Sequence, residues 1–272
     1  MSLNSYLFVP GDRPERFSKA LATAAHQVVI DLEDAVAPEA KIQAREGLAK
    51  WLQAGLADID KPRILIRVNA YGTPWHEDDV RMVRASPVTR VMVPKAEVPG
   101  ELADIAVRCG EGVSLIALIE SVTGVVQMRA IAHEKSVSRL AFGSCDYCVD
   151  ANMEDTGREL DYVRSQFVIE SRFAGLPAPI DGVTLSIDDA PLIDADVAAG
   201  RRFGFGAKLC IHPKQVEAVN RGFAPSDVDL AWAERVLSKL AENPQGAIAV
   251  DGKLVDKPIV DRAKRIIASF TH

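Results

Sequence analysis

The chain has 272 residues, 48% of them hydrophobic and 26% charged, which suits a globular protein with one large core and leaves little room for disorder. Its net charge of −6 lacks the basic footprint that nucleic acid or an anionic membrane surface requires, so an anionic ligand must be gripped by local cations or a metal. No apolar run reaches the roughly 18 residues that span a bilayer, and the start of the chain has no basic stretch leading into an apolar core, so the expected location is the cytoplasm.

In chain order, apolar and β-branched runs predict eight strands: Tyr6–Val9, Val28–Asp31, Ile64–Val68, Val91–Val93, Leu115–Ile119, Arg139–Phe142, Gly182–Leu185 and Lys208–Ile211. Helical spacing follows each of them, over Pro14–Ala25, Pro38–Leu52, Glu77–Ala85, Gly100–Cys109, Thr123–His133, Arg158–Ala174, Pro191–Phe203 and Pro213–Arg221. Val28-Val29-Ile30 and Leu115 to Ile119 are apolar at consecutive positions, the mark of parallel strands buried on both faces. An open dinucleotide-binding sheet should carry Gly-x-Gly-x-x-Gly after its first strand, and Phe8-Val9-Pro10-Gly11-Asp12-Arg13 does not. The expected fold is therefore α/β, a (β/α)8 TIM barrel over residues 1–222. A helical C-terminal extension over 223–272 follows, with helices at Asp227–Glu242 and Pro258–Ser269 and a turn at Asp251-Gly252, packing on the barrel or a neighbouring subunit.

In such a barrel the chemistry gathers where strands end. Glu120 closes one strand and Asp146 follows the next. Adjacent strands lie about 4.8 Å apart, a separation at which two carboxylates repel unless they share a hard divalent cation such as Mg²⁺. The bland alternative makes Glu120 a helix cap and Asp146 a loop acid. Asp31-Leu32-Glu33-Asp34 offers Glu33 or Asp34 to metal-bound water, or Asp34 to a turn cap or an ion pair with Arg45. Arg67 is a guanidinium in an apolar strand and needs an anion, either a substrate oxygen or a rim acid; Lys95 stands similarly after its strand. Pro10, Gly11 and Arg13 precede a helix whose N-terminus could take phosphates, and Asn69 ends the Arg67 strand. Cys145-x-x-Cys148 lacks a second half to complete a metal site and reads as two small buried residues. Asp256, just before the last helix, reads locally as a cap.

Together and in order, Leu7-Phe8-Val9-Pro10-Gly11-Asp12-Arg13-Pro14, Asp31-Leu32-Glu33-Asp34-Ala35-Val36, Ile66-Arg67-Val68-Asn69, Val93-Pro94-Lys95, Ile119-Glu120-Ser121, Phe142-Gly143-Ser144-Cys145-Asp146 and Cys210-Ile211-His212-Pro213 resemble the citrate lyase β-subunit-like branch of the HpcH/HpaI aldolase family. The resemblance runs from Tyr6 to about Ile267. It implies a homotrimer of lyase barrels with Mg²⁺ on Glu120 and Asp146. Arg67 grips the 2-oxo acid beside the metal, CoA thioesters of the citryl, malyl or citramalyl type are the substrates, and Asp256 acts as an acid reaching a neighbouring subunit's site. Residues Tyr147 to Glu154 depart from the family's usual aliphatic and Leu-Gly continuation, which puts substrate identity in question but not the metal position. Two other readings are a subunit active only with carrier partners, and a Schiff-base aldolase using Lys95 or Lys208.

Overall fold

The computed structural model describes residues 3–154, 158–242 and 248–270, in two compact units, Leu3–Asn220 and the chain from Arg221 onward. In the first unit, strands β1 (Ser5–Pro10), β2 (Gln27–Asp31), β3 (Ile64–Arg67), β4 (Arg90–Val93), β5 (Ser114–Ile119), β6 (Val137–Phe142), β7 (Ile180–Asp181) and β8 (Ala207–Cys210) form a closed barrel in sequence order. All pairs are parallel, and β1 closes on β8 with Tyr6 opposite Leu209. This is the expected TIM barrel.

Parallel neighbours need a crossover, and the helices supply it. They are α1 (Phe17–Leu21), α2 (Lys41–Gln53), α3 (His76–Arg84), α4 (Pro99–Cys109), α5 (Val122–Ala132), α6 (Ser144–Asp150), α7 (Asp161–Phe173), α8 (Ala190–Phe203) and α9 (Pro213–Phe223). Alternate strand residues point inward, so Tyr6, Val29, Leu65, Met92, Leu118, Ala141, Ile180 and Leu209 pack as the barrel interior. Their neighbours Val28, Ile30, Ile64 and Ile66 are just as buried, under the helices. Arg139 crosses the interior near the strand starts, donating to the carbonyls of Ala178 (2.7 Å) and Leu3 (2.8 Å) and to the Tyr6 hydroxyl (3.0 Å).

Three expectations need correction. The seventh strand is Ile180–Asp181, not Gly182–Leu185. A Cβ on Gly182 would lie 3.0 Å from the Ser144 Cβ and 3.2 Å from the Phe142 carbonyl, so this backbone already packs against the end of β6, and Leu185 is exposed. The helix expected over Pro14–Ala25 is a single 3-10 turn, Pro14–Arg16, followed by the five-residue α1. Ser144–Asp150, where no helix was expected, is helix α6.

Lys208 corrects the Schiff-base reading. It lies between inward-facing Ala207 and Leu209, so it points out of the barrel, 2% exposed, toward Asp196 (2.9 Å) and Asp181 (3.4 Å). Burial alone would lower its pKa, but the two carboxylates raise it, the opposite of what a Schiff-base lysine needs.

The second unit contains α10 (Asp227–Glu242), a hairpin of β9 (Ile248–Val250) and β10 (Lys253–Val255), and α11 (Lys257–Phe270). Asp251 and Gly252 form the expected turn, both at positive φ (50° and 75°), as a two-residue hairpin loop demands. Ala233, Val236, Val250 and Ala263 make the unit's own small core. Among the described residues no helix is long and apolar enough to cross a membrane.

Because Lys208 is itself buried and holds the buried Asp181 together with the half-buried Asp196, Lys208→Ala is expected to cost about 3–5 kcal/mol in denaturant titrations. Lys208→Met should cost nearly as much despite filling the volume; a loss under about 1 kcal/mol would contradict the ion-pair account.

Candidate active site

The period of two that fills the barrel interior also builds the site. Two residues beyond inward-facing Val29, Leu65 and Leu118 stand Asp31, Arg67 and Glu120, so each continues the inner face at the C-terminal rim. Asp31 and Arg67 are directly opposite in the β2–β3 register. Arg67 Nε and Nη2 donate to the two oxygens of Asp31 at 2.7 and 2.6 Å, and Nη1 lies 3.0 Å from Glu33 Oε2. The guanidinium also sits over the Phe8 ring, 4.8 Å from its centre. Burial works against its charge, yet Asp31 and Glu33 outweigh it and raise the pKa, so Arg67 is a permanent cation.

Asp31 accepts two further hydrogen bonds, from the backbone N–H of Glu33 (2.9 Å) and of Ala35 (3.0 Å), which curl the acidic segment into a turn. Lys41, buried in α2, pins that turn by donating to the carbonyls of Leu32 (3.0 Å) and Glu33 (2.9 Å). Neither Asp31 nor Lys41 was singled out from sequence. Asp31 could have been found from its place opposite Arg67; the role of Lys41 has no local signal.

Glu120 is 3% exposed. Its carboxylate accepts the Lys95 backbone N–H at 2.8 Å, with Lys95 held at φ 47° while its ammonium lies 3.5 Å from Glu33. The next inward position of β6 after Ala141 is Gly143. A Cβ there would come within 2.6 Å of Glu120 Oε2, so the missing side chain is the space the carboxylate occupies. Burial, then Glu33 and also Asp146, push the Glu120 pKa up to about 8, and burial raises Glu33 to about 6. Asp146 enters from the first turn of α6 and is exposed to the cavity mouth. Asp150, one turn further, accepts the Val122 N–H at 2.7 Å and so ties α6 to the start of α5, just beyond Glu120.

Asp31, Asp34, Arg67, Glu120 and Asp146 line one cavity of about 200 Å³, whereas Glu33 and Lys95 stand outside its lining. Among the described residues no group of three or more metal-ligating side chains comes together. Two converging carboxylates suit a hard divalent cation that fills its remaining positions with water and ligand oxygens, and such a charge would relieve the repulsion that raises Glu120.

The other candidates are placed elsewhere or otherwise engaged. Asn69 is buried and turned to Asp79, its side-chain amide donating to Oδ2 at 2.6 Å, outside the cavity lining. Arg45, the expected partner of Asp34, pairs instead with Asp79 at 2.7 Å and Asp78 at 3.1 Å, and Asp34 is exposed. Pro10 ends β1, and Gly11 donates to the Asp31 carbonyl at 2.7 Å, so close that a Cβ would collide with that oxygen. Arg13 is exposed beside Asp12, before a 3-10 turn too short to offer the phosphate-binding helix end that was expected. Lys95 is half exposed and its pKa is raised by Glu33 and Asp34 against the effect of burial, which disfavours it as a Schiff-base nucleophile. Cys145 is half-buried in the cavity lining and Cys148 is buried. Asp256 belongs to the second unit, exposed, where it accepts the Ile259 N–H at 3.2 Å and caps α11.

A carboxyl whose pKa is higher folded than unfolded binds its proton more tightly in the folded state, so the folded state loses stability as pH rises from about 4.5 to about 8. Metal-free protein is therefore expected to weaken across that window. Glu120→Gln should flatten the slope and gain on the order of 2 kcal/mol at pH 8 in urea titrations.

Residues 4–213 match the family model described as HpcH/HpaI aldolase/citrate lyase. A citrate lyase subunit beta-like protein of Deinococcus radiodurans is 34% identical, covering 98% of this chain and 96% of its own. A (3S)-malyl-CoA thioesterase of Cereibacter sphaeroides is 30% identical over 97% and 93%. The crystal structure of CitE from Mycobacterium tuberculosis in complex with magnesium, acetoacetate and coenzyme A superposes with a TM-score of 0.87 at 30% identity, covering 100% of this chain and 99% of that one. The chain belongs to the HpcH/HpaI aldolase/citrate lyase family of carbon–carbon lyases, in its citrate lyase β-like branch.

Proposed function

We propose that this protein is a Mg²⁺-dependent lyase that reversibly cleaves a 3-hydroxyacyl-CoA thioester to acetyl-CoA and a 2-oxo acid. The observation that carries the reading is Glu120, a carboxylate buried among other acids in a glycine-backed recess and lining one cavity with Asp146, whose charge acts on it. Glu120 and Asp146 would hold the Mg²⁺ that the Mycobacterium tuberculosis relative contains together with acetoacetate and coenzyme A. When bound, that ion supplies a positive charge that polarises the oxygens of the oxo-acid half.

Arg67 commits two of its five N–H groups to hydrogen bonds with Asp31 and only ion-pairs with Glu33, which leaves N–H groups on both terminal nitrogens to donate to the oxo-acid carboxylate. Because Asp31 fixes the guanidinium from two sides, that contact is positioned before substrate arrives. In cleavage the hydroxyl loses its proton and its carbon becomes the ketone. The electron pair of the broken carbon–carbon bond passes to the carbon beside the thioester, which takes up one proton to become the acetyl methyl. Asp256 is the acid that delivers it, from a neighbouring subunit of a homotrimer, and synthesis runs the same steps backwards.

The purified chain with Mg²⁺ is expected to cleave at least one of malyl-CoA, citramalyl-CoA and citryl-CoA without any acyl-carrier partner. Full activity after metal stripping with EDTA would refute the assignment. Glu120→Ala and Asp146→Ala should each lose both activity and Mg²⁺ binding. Gly143→Ala, which crowds the Glu120 recess, should weaken Mg²⁺ roughly 10- to 100-fold, measured by titration calorimetry. If Asp256 serves a neighbour's site, mixing inactive Asp256→Asn and Glu120→Ala chains should restore part of the activity; no recovery in mixed trimers would remove Asp256 from the mechanism.

A further inference from the structure

We infer that the oxo acid taken by this site carries one carboxylate and a short uncharged substituent, the pyruvate class, and not a second carboxylate. The inference rests on the lyase reading above and concerns which acid the cavity accepts.

Charge decides one half of it. Arg67 is the single cation among the described lining residues, against Asp31, Asp34, Glu120 and Asp146. A divalent ion between Glu120 and Asp146 would balance those two, and Arg67 is already matched by Asp31. Asp34 then has no matching cation within the lining, only the charge of Lys95 outside it, and no lining cation is left for a second carboxylate on the substrate. Lys95 is not in the lining; its ammonium faces Glu33 at 3.5 Å. Arg139, the other cation inside the barrel, has its guanidinium nitrogens on the Ala178 and Leu3 carbonyls and the Tyr6 hydroxyl, beside the N-terminal ends of the strands.

Shape and polarity decide the other half. The acids and Arg67 enter from the arc of β2, β3, β5 and the β6–α6 turn, whereas β7, β8 and β1 complete the closed circle on the remaining side. That side presents Val183, Leu209, Ile211 and Phe8 to the cavity and carries no hydrogen-bond donor of its own side chains. An oxo acid whose carboxylate and ketone oxygens lie on the charged arc must direct its substituent at this apolar wall. A methyl group gains from burial there, and a carboxylate would be desolvated without a partner. On the lyase reading the volume of about 200 Å³ would also have to admit the reacting end of the thioester, so the substituent is short.

The test uses full-length protein with Mg²⁺ and compares pyruvate, 2-oxobutyrate and freshly prepared oxaloacetate in two ways. The first is direct binding by titration calorimetry, in the absence of thioester. The second is condensation with acetyl-CoA, which joins the acetyl methyl carbon to the ketone carbon and moves one methyl proton to the new hydroxyl. Pyruvate is expected to bind more tightly and to show a kcat/KM on the order of 100-fold above oxaloacetate. Ile211→Arg places a cation at the half-exposed edge of the apolar wall and should move the preference about 10-fold toward oxaloacetate. Oxaloacetate binding as tightly as pyruvate, or no binding of any of the three, would overturn the inference. A binding preference for pyruvate without condensation would leave the inference standing and remove the lyase reading.

Discussion

The repulsion among buried carboxylates at the mouth of the barrel is the constraint on which the rest of the site depends. Glu120 lies on the inner face with Glu33 and Asp146 acting on it, in surroundings dry enough to push its pKa up to about 8. Such a group is costly in a folded protein unless something compensates it. Arg67 compensates one side of the rim by pairing with Asp31 and Glu33. The pair of Glu120 and Asp146 has no comparable partner among the described lining residues, and this imbalance is what the proposed divalent cation would relieve.

Several features that look unrelated serve to hold that imbalance in place. Gly143 opens the recess for Glu120, and Lys95 takes up a left-handed backbone conformation in which its N–H reaches the carboxylate. Lys41 and Asp31 lock the acidic turn after β2 from two directions. Asp150 ties the helix that carries Asp146 to the helix that follows Glu120. The Lys95 and Asp150 contacts join neighbouring strand ends, so the charged part of the rim behaves as one hydrogen-bonded arc standing on a close-packed interior. The strain of a non-glycine residue at positive φ and the burial of acids are tolerated because that arc holds them in place.

The opposite arc of the barrel is built on different terms. From β7 through β8 to β1 the cavity wall is aliphatic and aromatic, so one small space has a charged side and an apolar side. A ligand is thereby oriented by polarity as well as by contact, with its oxygens and its carbon substituent sorted to opposite walls. Lys208, which a lysine-centred chemistry would have placed in this space, faces outward into an ion-paired layer beneath α8.

The residues of this chain determine the barrel almost by themselves, because eight apolar runs separated by helical segments have few other ways to bury both faces of every strand. They also determine which acids reach the rim, since strict alternation sends Asp31, Arg67 and Glu120 inward two positions after an inward-facing core residue. The weak points are local. A strand of two residues after Pro179 has too little pattern to be distinguished from the apolar loop beyond it, and the short helix carrying Asp146 is masked by its cysteines and acids. Partner choice was decided only in three dimensions. Whether Arg67 meets a substrate or Asp31, whether Arg45 takes Asp34 or Asp79, and whether Asn69 faces the cavity or the helix layer are settled by distances of a few ångströms between strands remote in sequence. The period of a strand fixes the direction of a side chain, but only packing fixes what it touches.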